Sequence, residues 1–142
     1  MTPDARREPF TNMRFRIEID SMQSTGAVVV IFPEARIVLG PRKALVTQYG
    51  SLILKRGLTR SGEWYEWWDA ARKSNTGQSK RRRVHKNVSV ILIDSQAADA
   101  NQWLFSDATP VAYQVSSLNA LGNEALIETL ELSIGDFRAV YS

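Results

Sequence analysis

The chain has no cysteine and a single histidine, His85, among its 142 residues. Without cysteine it cannot form disulfides, thiolate metal sites or a cysteine nucleophile, and one histidine cannot build the usual histidine-based metal sites. A catalytic triad would depend on His85, which stands among basic residues with no acidic neighbour. Glycine patterns of the nucleotide-binding kind are also missing. Enzymes that rely on this chemistry are therefore not expected.

Long apolar runs are missing as well. The longest, Ala27–Phe32, has six residues, whereas a membrane helix needs about 20. The first ten residues are polar and charged, and they lack the apolar segment of a secretory signal. We therefore expect synthesis and folding in the cytoplasm, without a signal peptide and without insertion into a membrane.

The length and composition fit one globular domain. Apolar residues make up 44% of the chain, which is the ordinary fraction for a protein with a packed core. Residues 1–12 contain two prolines and show no periodic pattern, so we predict a flexible N-terminal arm there. Residues 13–142 are predicted to form a single domain.

The first half of the domain contains several strand patterns. Arg14–Asp20 alternates apolar and charged residues, which is typical of a half-buried strand. Ala27–Phe32 is short and β-branched, and we predict a strand that is buried on both faces or lies at a subunit contact. Extended structure resumes at Arg36–Leu39. Ser51–Arg56 reads as a further strand, ended by Gly57.

More strands are predicted in the second half. Val88–Ile93 is a continuous apolar strand, and two separate extended pieces follow at Gln102–Phe105 and Thr109–Val115. The proline in the latter piece implies a sheet edge or a bulge. Glu124–Ile134 reads as a long strand in which Glu128 interrupts the apolar face. Glu124 and Glu128 share the same parity, but nothing around them indicates the cleft of a glycosidase-type pair.

One amphipathic helix is predicted at Gly62–Lys73, with Ser61 as its N-cap. Trp64, Trp67 and Trp68 share one face. Such a stripe is typical of a core, although large rings also stack on bases in single-strand binders. Strands before and after a single helix indicate a mainly β fold, an antiparallel barrel or sandwich, and not a βαβ sheet.

Positive charge is concentrated in one segment. Seven of the 18 basic residues, and none of the 15 acidic ones, lie between Arg72 and Lys86. The rest of the chain is therefore acidic on balance. The basic run either contacts nucleic-acid phosphates, or forms a solvated loop, or pairs with acidic residues of another subunit.

Several segments resemble the tail-tube family of contractile phages and phage-derived contractile injection systems, in the order of that family. The resemblance extends over residues 13 to 135. The matching segments are Phe15–Asp20, Arg42–Lys43, Tyr49–Gly50, Leu52–Gly57, Trp67–Trp68, Arg82–Arg83, Val88–Asp94, Trp103, Asp107–Pro110, Leu118–Glu124 and Ile127–Leu132.

The resemblance implies a β-barrel of two packed sheets with one flanking helix, similar to the haemolysin-coregulated tube protein of type VI secretion. It implies homo-hexameric rings that stack into a tube inside a contractile sheath, with spike and baseplate proteins as further partners. DNA or effector proteins would pass through the lumen. The resemblance implies neither enzymatic activity nor a cofactor, and no metal site is expected.

One segment departs from the family pattern. Members carry, after the first strand, a long hairpin with an acidic, glycine-containing tip that contacts the neighbouring ring. The corresponding region, Met22–Pro41, is shorter and more apolar here. The alternative to a repeating tube subunit is therefore an initiator ring that joins the tube to the spike and baseplate. A remoter alternative is a nucleic-acid-binding β-barrel.

Assembly would proceed by pairing of strand edges and matching of charges. The first strand and Glu124–Ile134 are predicted to belong to the sheet on the lumen side. The basic run at Lys80–Lys86 is predicted to meet acidic residues of a neighbouring ring or of the sheath. The predicted contact residues within and between rings are Val28, Val30, Phe32, Arg42, Lys43, Arg81, Arg82, Arg83, Glu128 and Glu131.

Overall fold

The computed structural model describes residues 8–10, 14–22, 29–74 and 84–141. The predicted N-terminal arm lies largely outside these ranges. So do the predicted contact residues Val28 and Arg81–Arg83. The described elements are, in chain order, β1 (Arg14–Ile19), β2 (Val29–Ile31), β3 (Ala35–Leu39), a 3-10 turn (Pro41–Lys43), β4 (Leu45–Tyr49), β5 (Leu52–Gly57), α1 (Glu63–Arg72), β6 (Lys86–Ile93), β7 (Asp99–Val115), β8 (Ile127–Ser133) and β9 (Asp136–Val140).

The long strand β7 joins two antiparallel halves of the sheet. Its first part pairs with β6 and β9, and its second part pairs with β8. One half therefore has the order β1-β6-β7-β9 and the other the order β7-β8-β5-β2. This arrangement confirms the predicted mainly β, antiparallel fold with a single helix.

The two extended pieces predicted at Gln102–Phe105 and Thr109–Val115 are parts of one continuous strand, β7. Asp107 has a left-handed backbone (φ 54°), and the register with β8 shifts between Pro110 and Ala112. The predicted bulge at the proline is therefore confirmed. Because this irregularity bends β7, one strand can belong to both halves of the sheet.

The core lies between the two halves. β1, β6 and β7 supply one wall, and the alternate leucines of β5 and β8 supply the other. The buried side chains are Ile17, Ile19, Leu52, Leu54, Trp64, Trp67, Val88, Val90, Phe105, Ala108, Leu130 and Leu132. The alternation in the sequence accounts for this set, because every second side chain of a strand faces the same side.

The helix α1 confirms the core interpretation of the tryptophan stripe. Trp64 and Trp67 are buried, and the indole Nε1 of Trp67 donates to the carbonyl of Val84 at 2.6 Å. Trp68 lies at the margin, where its ring contacts Tyr65 and Tyr113. Since two of the three indoles are enclosed, they are not free to stack on bases.

The predicted N-cap is wrong. The capping position is Gly62, without a side-chain capping bond, and the Ser61 hydroxyl lies 3.2 Å from a carboxylate oxygen of Glu63 instead. Acidic residues in the first turn and Arg72 in the last still complement the helix dipole.

Two further expectations need correction. The described part of Ala27–Phe32 is not buried on both faces, because Val29, Ile31 and Phe32 are each more than a third exposed, and the predicted alternative, a subunit contact, stays a prediction. The first strand and β8 do not lie in the same half of the sheet, since β1 pairs with β6 and β8 pairs with β5 and β7. Within the described ranges, no helix has the length and hydrophobicity needed to cross a membrane.

Candidate subunit interface

A separate two-stranded hairpin projects from the body of the molecule. β3 and β4 pair from Ala35 opposite Tyr49 to Leu39 opposite Leu45. On one face, Ile37, Leu39 and Leu45 are 68%, 66% and 73% exposed. The segment Met22–Pro41, expected to be shorter than its counterpart in the family, therefore continues beyond Pro41 into a hairpin with an exposed apolar face. Such a face is typical of a surface that meets another molecule.

The hairpin tip carries two of the predicted contact residues, Arg42 and Lys43. Both have a left-handed backbone, with φ of 60° and 61°, a conformation that costs an ordinary residue about 1–2 kcal/mol. The amide of Gly40 donates to the carbonyl of Ala44 at 2.7 Å and closes the turn. The tip therefore presents two cations on a tight loop, whereas the resemblance implies an acidic tip.

The base of the hairpin is fixed to the body. The Tyr49 hydroxyl donates to a carboxylate oxygen of Asp136 at 3.0 Å, and this hydrogen bond raises the pKa of Tyr49. The amide of Gly50 donates to the carbonyl of Glu34 at 2.9 Å. These bonds constrain the direction in which the hairpin leaves the sheet.

The predicted contact residue Glu128 lies in the interior. Only 1% of Glu128 is exposed. Its carboxylate accepts a hydrogen bond from Arg56 Nε and another, at 2.7 Å, from the Tyr113 hydroxyl. The Arg56 guanidinium also lies 4.1 Å from the centre of the Trp64 ring. The four side chains form a polar cluster in which Arg56, Glu128 and Trp64 are buried and Tyr113 is partly exposed, so Glu128 is not part of an exposed contact surface.

This cluster changes the acidity of Tyr113. Burial and the hydrogen bond to Glu128 raise the pKa of Tyr113 to about 12. Sequence reasoning found the break that Glu128 makes in the apolar face but missed its partner. The available signal was Arg56, a charged residue with the same parity as two buried leucines of β5.

The outer face of the β2-β5-β8 sheet carries both polar and apolar side chains. Glu131, another predicted contact residue, accepts a hydrogen bond from the Ser51 hydroxyl at 2.9 Å. Lys55, Thr129 and Gln114 lie beside it around a shallow groove of about 250 Å³. A face of this kind offers hydrogen bonds and charges of both signs.

The strand β2 forms one margin of this face. In the described part of the chain, β2 pairs with β5 on one side only. Val30 packs against the core, while Val29 and Ile31 are exposed. Phe32 packs its ring against Trp103 at 4.8 Å between centroids and remains partly exposed. Of the predicted contact residues, Val30 therefore contributes to the core and Phe32 remains at the surface.

Residues 116–126 form an exposed loop between β7 and β8 that sequence reasoning did not place at a contact. The amide of Ser116 donates to the carbonyl of Ile127, and the Ser116 hydroxyl accepts from the Ile127 amide. The Asn119 side chain accepts from the amide of Leu121 at 3.0 Å. Leu121 is 97% exposed and Leu118 is 80% exposed. Two leucines in a polar turn were the signal for this surface.

The part of the chain that the structure describes contains no group of three or more histidine, cysteine, aspartate or glutamate residues arranged to hold a metal ion. Glu124 and Glu128 do not form a catalytic pair, because Glu124 lies in the exposed loop and Glu128 in the core. These contacts and exposed faces are suited to binding other subunits.

Comparison with known proteins gives one family match and several solved structures with a similar fold. The family model of the T4-like virus tail tube protein gp19 matches residues 42–138. Comparison with curated proteins by sequence finds no match.

Three solved structures have a similar fold. A chain of the anti-feeding prophage (AFP) baseplate is 22% identical, with a TM-score of 0.63 over 94% of this chain and 97% of that one. A chain of the PVC sheath-tube complex, an extracellular contractile injection system, is 13% identical, with a TM-score of 0.69 over 99% and 100%. Hcp1 from Flavobacterium johnsoniae is 17% identical, with a TM-score of 0.63 over 91% and 96%.

Proposed function

The chain belongs to the T4-like virus tail tube protein family, and from this premise we propose that six copies form a ring and that the rings stack into the inner tube of a contractile particle. The family and fold are those of structural tube proteins. The tube would serve as a conduit for DNA or for effector proteins.

The observation that carries this proposal is the one-sided strand β2 with its exposed Val29 and Ile31. An exposed apolar edge is an aggregation liability unless another strand pairs with it. The other margin of the same half is the second part of β7, which pairs only with β8 in the described ranges. Pairing of β2 with this part of β7 in the next copy is a head-to-tail contact that closes into a ring.

The outer face of β5 and β8 would then line the lumen. Lys55 and Glu131 contribute one charge of each sign to this face, and Thr129 and Gln114 add uncharged polar groups. A wall of this kind carries no strong net field, so neither a polyanion nor a protein would bind it tightly.

The remaining predicted contacts, Val28 and Arg81–Arg83, lie outside the described residues. We propose that the basic run at Lys80–Lys86 pairs with acidic residues of a neighbouring ring or of the sheath. Val28 would extend the β2 contact. Sheath, spike and baseplate proteins are the expected partners, and assembly is expected in the cytoplasm as part of a phage tail or injection-system particle.

A second candidate is an initiator ring that joins the tube to the spike and baseplate. Two observations favour it, namely the basic hairpin tip, where the resemblance implies an acidic one, and the likeness to a chain of the AFP baseplate structure. Co-purification separates the two roles, since an initiator ring would be found in a few copies per particle and a tube subunit in many.

Mass measurement and negative-stain electron microscopy of the purified chain test the proposal. We expect a species with six times the mass of one chain, and ring or tube particles with a central hole. A chain that stays monomeric at high concentration, with no particle co-purifying from its native source, would contradict the proposed function.

A further inference from the structure

We propose that Tyr113 fixes the register in which the second part of β7 pairs with β8, and that it thereby sets the strand edge offered to the next copy. Tyr113 acts as a positioning residue, through its ring and through its hydroxyl. The register is a property of the single chain. Only its consequence for the ring of subunits rests on the proposed function, so the two can fail separately.

The bulge in β7 gives this strand a competing register. Pro110 lies opposite Leu132 before the bulge and Ala112 lies opposite Glu131 after it, so Val111 is the extra residue. Without the bulge, every residue of β7 after Pro110 would move by one position against β8. A slip of one residue turns each side chain to the other face of the sheet. Strand pairing alone therefore leaves two arrangements open.

The two registers place different side chains on the core side. In the structure, Tyr113 lies opposite Leu130 and packs against the core, whereas Gln114 lies opposite Thr129 on the outer face. In the competing register, Tyr113 would lie opposite Thr129 on the outer face. Gln114 would then turn inward beside Glu128. An amide would take the place of an aromatic ring, and burial of a polar group costs free energy unless it finds partners.

The hydroxyl of Tyr113 makes a bond that the competing register would break. It donates to a carboxylate oxygen of Glu128 at 2.7 Å. Glu128 lies opposite Val115, two residues further along β7, so the bond runs diagonally between the strands. Glu128 cannot follow a slip of β7, because Arg56 lies opposite it on β5 and donates to it. A slip would therefore take a donor from a buried carboxylate, which is unfavourable.

The ring of Tyr113 favours the same register. It packs against α1, with centroid distances of 5.7 Å to Tyr65 and 6.3 Å to Trp68. The helix lies on the core side of the sheet, where Trp64 and Trp67 are buried. From the outer face the ring would lose these contacts, and aromatic pairs stabilise beyond their buried area. Ring and hydroxyl thus select one arrangement together.

The register matters for assembly because the second part of β7 is a margin of the sheet. In the proposed ring this margin pairs with β2 of the next copy. Successive residues of a strand direct their backbone N–H and C=O groups to alternate sides, so a slip against β8 would exchange the groups that face the next copy. It would also withdraw Gln114 from the outer face. Tyr113 therefore selects the edge that the next copy meets.

Paired cysteines report the register directly, because the chain has no cysteine of its own. Gln114→Cys with Thr129→Cys reports the register of the structure, since these residues lie opposite each other. Val115→Cys with Ile127→Cys reports the competing register, because only a slip would place these two opposite each other on one face. A disulfide needs Cα atoms within about 7 Å and Cβ atoms that point towards each other. With Tyr113 present, only the first pair should link on oxidation.

Tyr113→Thr, added to both cysteine pairs, tests the inference. It removes the ring and the bond to Glu128 but keeps a residue that suits a strand. The fraction linked through positions 115 and 127 should rise by about 10-fold or more. Tyr113→Phe keeps the ring and should give a smaller rise. No rise in Tyr113→Thr overturns the inference, and so does a larger rise in Tyr113→Phe.

Two controls accompany this test. Tyr65→Ala removes a ring that packs on Tyr113 but leaves the bond to Glu128, so it should not raise the linked fraction. A rise as large as in Tyr113→Thr would contradict the role of Tyr113. Lys55→Cys with Thr129→Cys, opposite each other on β5 and β8, should link in every folded variant. If this pair shows Tyr113→Thr to be unfolded, absence of a rise in Tyr113→Phe overturns the inference.

Sedimentation of the variants without cysteine connects the register to assembly. Tyr113→Thr should lower the assembled fraction well below that of Tyr65→Ala at equal concentration. Equal assembly of the two, with the competing register populated in Tyr113→Thr, would contradict the consequence for the ring. If the unsubstituted chain is monomeric at every concentration, the proposed function is overturned, while the disulfide yields still decide the register.

Discussion

Leucines are buried in one part of this molecule and exposed in another. Leu52, Leu54, Leu130 and Leu132 are fully buried between the two halves of the sheet, whereas Leu39 and Leu45 of the hairpin are about two-thirds exposed or more. The core leucines stabilise the single chain, since burial removes their apolar surface from water. The hairpin leucines give no such stabilisation to the chain itself. The comparison separates the residues that maintain the fold from those free to associate.

The largest effect on stability is expected at the buried polar cluster. Arg56→Met would leave the Glu128 carboxylate enclosed without its cationic partner, and we expect a loss of about 3–5 kcal/mol in the free energy of unfolding. Urea denaturation followed by circular dichroism measures it. The double variant Arg56→Met with Glu128→Leu is the control, because replacing both charges with apolar groups should recover most of the loss. Equal losses in the single and double variants would contradict this account.

A matched pair of leucine substitutions tests the comparison itself. Leu130→Ala should lower the free energy of unfolding by about 2–5 kcal/mol, because it removes a fully buried side chain and leaves a cavity. Leu45→Ala should change it by less than about 0.5 kcal/mol. Denaturant unfolding of monomeric samples gives both values.

On assembly, Leu45→Ala should have the larger effect of the two substitutions. Leu45→Ala should reduce the sedimenting fraction at a concentration where the folded chain otherwise assembles. A large loss of monomer stability in Leu45→Ala would mean that the hairpin packs on its own body.

Much of the fold follows from local sequence patterns. Period-two alternation at Arg14–Asp20 predicts β1, and the spacing of Trp64, Trp67 and Trp68 predicts α1, because each element buries one face. Glu128 stands out in its strand for the same reason. These features depend on neighbours a few residues apart, which the sequence displays directly.

The rest depends on partners far apart in the sequence. Arg56 meets Glu128 only because β5 and β8 pair in one register, and no local pattern specifies it. The continuity of β7 through Pro110 likewise depends on β8 alongside it. The hairpin carries apolar side chains that its own chain does not cover, so rules that assign such residues to a core place them incorrectly.

Alkaline pH should weaken the buried cluster through Tyr113. The pKa of Tyr113 is raised from 10.0 to about 12 in the folded chain. A raised folded-state pKa contributes stability that is fully present below the unfolded value and is lost as pH rises through the folded one. The free energy of unfolding should therefore fall between pH 10 and about pH 12. Tyr113→Phe should remove this part of the pH dependence, and a slope that persists in the variant would assign it to other groups.

The smallest effect is expected for the charges outside the core. Hydrogen bonds from Lys73 and then from Arg72 lower the pKa of Asp69 below 3.8, and all three side chains lie on the outer side of α1. A lowered folded-state pKa contributes stability above the unfolded value, and this stability is lost as pH falls through the folded one. Asp69→Asn should therefore flatten the acid limb of the stability curve slightly, in unfolding measured from pH 5 to pH 2. Salt should reduce the difference between variant and parent, because solvent screens exposed pairs that it does not reach at Arg56 and Glu128. If Asp69→Asn lowered the free energy of unfolding as much as Arg56→Met does, the expected difference between interior and outer charges would be contradicted.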